Sequence, residues 1–393
     1  MSLVADEQHI MTQVVHGGEG KKQYQSSLVP AISQTTTFTF SSLKEFNDFK
    51  DQKRDAFEYG RYGNPTQRVA EEKIAELENA EDSLLFSSGM AAICTVLLAI
   101  LRSNQHVIIT QDCYRHTAQF FATLEKFGIE TTVVSPDDIG AISAALRPET
   151  KLIFTESPTN PHLHVIDLER LVGISRKANV KLVVDSTLAT PVNQRPLDFD
   201  VDLVVHSATK YMAGHNDVLA GVVSGNRGII SAIRDFHHML GATLDPNSAY
   251  LLNRGLKTLG LRLKQQNQSA LAIAKVLEED KNVSLVYYPG LTSHPSHEIA
   301  YKQMHGFGGL VSFELSGGLC KVEKFIQALE IPQIAPSLGG VETLVSHPAS
   351  MVYYDLSDEQ LEQQRISKSL VRLSVGIEDC SDLIADIKKA LRS

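Results

Sequence analysis

Val204-Val205-His206-Ser207-Ala208-Thr209-Lys210 is an apolar run that ends in two hydroxyls and an amine. Its first residues suit a buried strand. A lysine directly after such a strand, beside two hydroxyls, does little for solubility. It is well placed for a Schiff base whose cofactor phosphate is held by the neighbouring hydroxyls. Read alone, the stretch also fits a lysine at an ordinary strand edge, so the surrounding pattern decides.

From about residue 80 that pattern alternates. Strands are expected at Ser83–Phe86, His106–Thr110, Glu130–Val134, Lys151–Phe154, Lys181–Val184, Asp202–Val205 and Gly221–Ser224. Helical runs lie between several of them, at Gly89–Leu101, Thr117–Phe127, Ile139–Leu146 and Asp167–Ala178. Near-continuous apolar strands alternating with helices predict an α/β domain of three layers, a mostly parallel sheet covered on both faces. Upstream, the polar and irregular residues 1–60, with a short helix within Ser41–Arg54, read as an arm. Asn64-Pro65-Thr66 opens a helix over Gln67–Asn79. Downstream, a helical region from Pro246 to Glu279 leads to strands at Val283–Tyr287, Gly309–Phe313 and Leu370–Ser374. These come with helices at Val322–Ala328 and Asp379–Arg392, a smaller α+β domain. The expected division is 1–60, 61–255 and 256–393.

A chain of 393 residues exceeds one simple core. Its net charge of −9 favours neither a nucleic-acid backbone nor an anionic membrane, and no nucleic-acid or membrane partner is expected. No apolar stretch is long enough to span a bilayer. The acidic start, Met1 to Glu7, resembles neither a secretory signal nor a transit segment, so the expected location is cytoplasmic. Cys94, Cys113, Cys320 and Cys380 are scattered, which argues against a disulfide scaffold. His206 and Cys113 read as packing residues, and no metal is expected.

Several strands end in reactive residues, and in open α/β sheets ligands gather beyond the carboxyl ends of strands. One strand leads into Thr155, Glu156, Ser157 and Asn160, the next into Asp185, and a third into Ser207, Thr209 and Lys210. A pyridoxal phosphate site needs such a set: a lysine, a buried carboxylate for the pyridine nitrogen, and hydroxyls with helix N-terminal amides for the phosphate. Asp185 is the best carboxylate, although an Asp there also serves as a cap or turn residue. Ser88-Gly89-Met90, between strand and helix, allows close approach of a phosphate. Tyr114 follows a strand and is suited to stacking on a planar ring or to packing.

The chain resembles the Cys/Met-metabolism family of fold-type I pyridoxal-phosphate enzymes, the cystathionine synthases and lyases. The matching segments run from end to end: Tyr59-Gly60-Arg61-Tyr62-Gly63-Asn64-Pro65-Thr66, Ser87-Ser88-Gly89-Met90, Asp112-Cys113-Tyr114 and Thr155-Glu156-Ser157-Pro158-Thr159-Asn160-Pro161. They continue with Asp185-Ser186-Thr187, Ser207-Ala208-Thr209-Lys210-Tyr211, Gly214-His215-Asn216-Asp217, Ser337-Leu338-Gly339-Gly340-Val341-Glu342 and Arg372-Leu373-Ser374-Val375-Gly376. The resemblance implies that pyridoxal 5'-phosphate is the cofactor. Lys210 is then the Schiff-base lysine and proton shuttle, Asp185 the partner of the pyridine nitrogen, and Tyr114 the stacking residue, with a part in proton transfer. Ser88, Ser207, Thr209 and the Gly89 and Met90 amides are implied around the phosphate. Tyr59 and Arg61 would reach the phosphate of a neighbouring subunit. Arg372 would clamp the substrate α-carboxylate, a bidentate role that lysine fills poorly, in a pocket also lined by Ser157, Asn160 and Ser337. The implied assembly is a homotetramer of two catalytic dimers, with amino-acid substrates.

The family divides among γ-replacement, γ-elimination and β-elimination. Phe57 to Tyr62, Asp112 to Arg115, Phe236 to His238, Gln303 to Gly309 and Ile334 to Ser337 are similar to the plant-type γ-synthases. After Tyr114, however, Arg115-His116-Thr117-Ala118 stands where that branch has Arg-Lys-Thr-Arg. This weakens a binding site for a phosphorylated leaving group. The resemblance therefore implies γ-replacement between an O-acylhomoserine, succinyl or acetyl, and L-cysteine to give L-cystathionine. The alternative is γ-elimination from cystathionine or methionine to 2-oxobutyrate.

Overall fold

The structure, a computed structural model, describes residues 9–19 and 26–393. The acidic start of the chain and residues 20–25 of the expected arm lie outside the described residues. Seven strands form one sheet in the order β1-β7-β6-β5-β4-β2-β3: β1 (Asp82–Phe86), β2 (His106–Thr110), β3 (Glu130–Val134), β4 (Thr150–Glu156), β5 (Lys181–Asp185), β6 (Leu203–His206) and β7 (Gly221–Gly225). β2 to β6 run parallel, and β7 is antiparallel to both β6 and β1.

Alternate residues of the inner strands enter different cores. Val107, Ile109, Leu152, Phe154 and Val183 belong to one, while Ile108, Ile153, Leu182 and Val184 belong to another on the opposite face. Helices cover both faces, which is why these strands read as unbroken apolar runs. Each fully buried aliphatic side chain contributes about 1.5–3 kcal/mol.

The early helices are α1 (Ile10–His16), α2 (Leu43–Lys50), α3 (Pro65–Glu78), α4 (Gly89–Ile100) and α5 (Arg115–Thr123). α3 begins on Asn64, whose side chain accepts from the Thr66 amide, with Pro65 in the first turn, and it ends on left-handed Asn79. α4 begins on Ser88, whose hydroxyl accepts from the Ala91 amide. The chain departs from the expected arm at α1, which places Val14 in the core. Buried Lys73 of α3 ties α1 down by donating to the carbonyls of Val14 and Val15 at 3.3 and 2.9 Å. Two turns of helix are too short to show a period.

The run expected as one helix from Thr117 to Phe127 divides into α5 and a 3₁₀ turn that stops at Gly128, where φ is +72°. The helical region after Pro246 is two helices, Pro246–Leu256 and Leu259–Glu278. A helix at Arg227–Leu240 was not anticipated, although Ile230, Ile233 and His237 repeat at helical spacing and are buried.

The second sheet has the order β10-β11-β12-β9-β8, from β8 (Val283–Tyr287), β9 (Leu310–Leu315), β10 (Gln333–Ile334), β11 (Leu344–Ser346) and β12 (Leu370–Ser374). Only β10 and β11 pair in parallel among its strands. These two are too short for a pattern to reveal. Helices Gly318–Ala328 and Cys380–Leu391 accompany the sheet. One apolar cluster joins Val222 of β7, Leu263 and Ile273 of the long helix, and Val311 and Phe313 of β9, so the two sheets share a core. Among the described residues no helix is long and apolar enough to cross a membrane.

The N-terminus of α4 rests on β7. A Cβ on Gly221 would lie 2.1 Å from the Ser88 carbonyl oxygen, a backbone atom with no rotamer to yield. Gly221→Ala is expected to cost about 1–3 kcal/mol as overpacking. Gly173→Ala, in a helix with open space around it, is expected to gain about 0.5–1 kcal/mol. Urea midpoints compared with the parent protein check both signs.

Candidate active site

The strand order sets β6, β5, β4 and β2 side by side, so their carboxyl ends open on one cleft. It is a cavity of about 530 Å³. Its walls include Ser88, Gly89 and Met90 from the start of α4, Tyr114 after β2, Asn160 after β4, and Asp185 at the end of β5. Ser207, Thr209 and Lys210 follow β6, and Ser337 and Arg372 come from the second sheet and its loop. The residues expected to act together thus converge, with three exceptions.

Ser157 does not line the cavity. It is fully buried behind the wall, and its hydroxyl accepts from the Ile166 amide at 3.2 Å. Tyr59 and Arg61 stand apart from the cavity of their own chain. Tyr59 is 40% exposed, and Arg61 donates to the His238 carbonyl and lies over the Tyr62 ring at 4.7 Å.

Two cations line the cavity. Lys210 Nζ donates to Ser337 Oγ at 2.7 Å. Burial, and then the charge of Arg372, pull its pKa down to about 8. Arg372 is 6% exposed, and burial lowers its pKa to about 10. Its guanidinium donates to Asn160 Oδ1 at 3.1 Å and to the Ser337 carbonyl at 2.9 Å, while Nε has no partner. Ser337, at φ +87°, holds both cations in a conformation that non-glycine residues rarely adopt. Neither cation forms a salt bridge among the described residues, an unusual state for a buried guanidinium.

Two carboxylates line the same cavity. Glu156 and Asp185 are register partners on neighbouring parallel strands. Glu156 accepts from the Tyr114 amide at 2.9 Å, and burial followed by the charge of Asp185 pushes its pKa well up. Burial also raises Asp185, against two hydrogen bonds from Thr187, amide and hydroxyl, to Oδ1 at 3.0 and 2.5 Å. The Thr187 hydroxyl also accepts from the Ser207 amide at 2.8 Å, so it fixes the acid and the hydroxyl loop together. The sequence quoted Thr187 without a role; its place two residues after Asp185 was the available signal. Burial and then Glu156 raise the Tyr114 phenol.

These residues fit pyridoxal phosphate. The Gly89 and Met90 amides have no acceptor among the described residues, as the first donors of a helix do not. A Cβ at Gly89 would lie 2.8 Å from Cβ of Ser207. Only glycine therefore leaves the start of α4 this close to the Ser207 hydroxyl. Thr209 is less available, because its hydroxyl donates to the Ala220 carbonyl at 3.1 Å and accepts from the Ala220 amide at 2.9 Å. Buried Asp185 calls for a cationic partner such as a protonated ring nitrogen.

Sequence reasoning missed the outer wall. Arg115 donates to the Val352 carbonyl and to Asp355 at 2.6 Å, and it lies over the Tyr353 ring. No local motif marks the loop from Met351 to Asp355.

The profile of the Cys/Met metabolism PLP-dependent enzymes matches residues 11–392. The chain is 49% identical over 383 residues to cystathionine gamma-synthase 1, chloroplastic, of Nicotiana tabacum, covering 96% of this chain and 71% of that one. It is 40% identical to L-methionine gamma-lyase of Pseudomonas putida, over 97% of each chain. The crystal structure of cystathionine gamma synthase from Xanthomonas oryzae pv. oryzae in complex with aminoacrylate and cysteine superposes with a TM-score of 0.93 at 35% identity, covering 98% of each chain.

A lysine amine must be neutral to react with an aldehyde. Capture of pyridoxal phosphate by the cofactor-free protein should therefore accelerate with pH and level off above about 8. Arg372→Met removes a nearby positive charge and should move that midpoint upward. A profile still climbing where free lysine titrates, about pH 10.4, would contradict the burial of Lys210.

Proposed function

The chain belongs to the Cys/Met metabolism PLP-dependent enzymes, and on that premise we propose that it joins an O-acylhomoserine, succinyl or acetyl, to L-cysteine to form L-cystathionine. The observation that carries the substrate class is Arg372. A guanidinium that is 6% exposed and without an ion pair needs an anion, and an α-carboxylate beside the Lys210 amine supplies one.

Bound pyridoxal phosphate supplies an electron sink for charge developing at the substrate α-carbon. Its phosphate would lie against the Gly89 and Met90 amides and the Ser207 hydroxyl, and its ring nitrogen against Asp185. Lys210 Nζ would hold the cofactor through its aldehyde carbon. Once displaced by the substrate amine, it is the base that takes the α-proton and delivers it further along the chain. Its lowered pKa suits that work, since a neutral amine is present near pH 8. Ser337 keeps Nζ in line while Arg372 fixes the carboxylate, so the α-hydrogen faces the amine. Tyr114, its main chain tied to Glu156, would stack on the ring.

An acyl rather than a phosphoryl leaving group is supported at the outer wall. Arg115 is engaged by Asp355, and the His116 ring by Gln119 at 2.7 Å. The chloroplastic γ-synthase of Nicotiana tabacum shares 49% identity with the chain, the Xanthomonas oryzae γ-synthase 35%, and the methionine γ-lyase of Pseudomonas putida 40%. Tyr59 and Arg61, remote from their own cavity, belong in this reading to the phosphate site of a second subunit, within a tetramer of two catalytic dimers. The three-part division at residues 60 and 255 and a cytoplasmic location belong to the same proposal.

Holoenzyme given O-succinylhomoserine with cysteine should yield mainly cystathionine by mass spectrometry, and O-phosphohomoserine should be a poorer donor. Mostly 2-oxobutyrate, with or without cysteine, would replace the reading with γ-elimination. Arg372→Lys keeps the charge but loses the fork. It should lower kcat/KM by about tenfold to a hundredfold, the scale of one charge-assisted hydrogen bond.

A further inference from the structure

Behind the Tyr114 wall, three side chains converge that the proposed chemistry does not use. Asp112 Oδ2 lies 3.2 Å from His162 Nδ1 and 3.8 Å from His164 Nε2. One ligand atom from each residue lies within 4.8 Å of the other two. The outer nitrogen of each ring already faces an acceptor: His162 Nε2 lies 3.0 Å from the Arg365 carbonyl, and His164 Nδ1 lies 3.0 Å from Asp137 Oδ1. A neutral imidazole carries one N–H. The Arg365 carbonyl draws that of His162 to Nε2, which leaves Nδ1 presenting a lone pair to a carboxylate that also presents lone pairs. His164 Nδ1 makes no hydrogen bond among the described residues, and Asp112 Oδ2 also accepts from the Thr159 hydroxyl at 3.4 Å. A cation between the carboxylate and the two rings resolves the opposed lone pairs.

We propose that Asp112, His162 and His164 bind one divalent metal ion of the zinc class. Imidazole and carboxylate ligands suit that class, with bonds of about 2.0–2.2 Å. Three ligands around such an ion sit about 3–3.5 Å apart, close to the separations found. The outer contacts are those that orient metal-bound histidines, a carboxylate for one ring and a backbone carbonyl for the other. An entry path exists at the rim, where the His164 side chain is 13% exposed and Asp137 43%. A fourth position is left for water. The sequence drew attention to Cys113 and His206, which lack such companions; the pair that converges is His162-Leu163-His164.

The ion would act by position. Asp112 is two residues before Tyr114, and His162 two after Asn160, which holds Arg372. Arg365 lies in the loop leading to β12. The site therefore fastens together three loops that carry cavity residues. This is independent of which amino acid the cavity turns over.

The test is zinc uptake by holoenzyme stripped with a chelator and desalted, followed by isothermal titration without cysteine. The parent protein should bind one zinc ion per chain, and zinc should raise its thermal midpoint. His164→Gln should weaken binding by at least about tenfold and abolish that rise. Asp137→Asn, which removes the charge beside His164 Nδ1 and the ion pair with Arg365, should weaken binding by about tenfold to a hundredfold. Unchanged visible absorbance of the bound cofactor shows that both variants are folded. X-ray absorption at the zinc edge should report two imidazoles. No stoichiometric uptake by the parent, which would leave protons as the cations of the cluster, would overturn the proposal. So would undiminished affinity in His164→Gln, which would put the zinc elsewhere.

Discussion

Two positive charges held in one cavity without a carboxylate partner are the constraint around which this fold is arranged. Lys210 comes from the parallel sheet and Arg372 from the antiparallel one, and Ser337 accepts from both. Charges this buried are ordinarily neutralised by the protein itself. Here the carboxylates that might do so are held elsewhere: Asp185 by Thr187, and Glu156 by the Tyr114 amide. The cavity therefore carries both unpaired cations and carboxylates. These groups fit a zwitterionic amino acid and a cofactor with an anionic phosphate and a basic ring nitrogen. The shared apolar core between the sheets keeps that arrangement rigid.

The acidic pair follows from topology. Parallel pairing puts Glu156 opposite Asp185, and the charge of Asp185 adds to burial in disfavouring an ionised Glu156. The two nonetheless have different partners. Asp185 receives a hydroxyl and an amide, which favour its ionised form, while Glu156 receives a single amide. Ionisation is thus steered toward Asp185. Thr187 does this with the same hydroxyl that positions Ser207, coupling the ring end of the site to the phosphate end.

What could be read from the sequence had strong local signals. Strands β5 and β6 lie where apolar runs lead to Asp185 and Ser207, because burial on both faces leaves no polar interruption. Converging residues such as Tyr114 and Lys210 were legible because parallel strands aim their carboxyl ends one way. Ser157 was misread for a reason of the same kind. It follows β4 as Asn160 does, but it turns inward to hold the Ile166 amide. Elements that owe their form to tertiary contacts were not legible. Helix α1 is held by buried Lys73, β11 by pairing with β12, and β10 by pairing with β11. The Met351–Asp355 wall depends on Arg115, more than two hundred residues away in sequence.

That wall is held differently from the rest of the cavity. The groups that meet the α-carbon sit on strand ends and on a constrained Ser337, and they serve any reaction that begins with loss of the α-proton. The outer wall comes from the Met351–Asp355 loop ahead of β12, latched by a partly exposed ion pair of Arg115 with Asp355. An exposed pair is worth about 0–1 kcal/mol, whereas a few kcal/mol at the distal pocket suffices to change which substrate reacts. The latched loop is the weakest-held part of the cavity wall, whereas the two cations, the acid and the Ser207 hydroxyl are held by strand ends and buried hydrogen bonds.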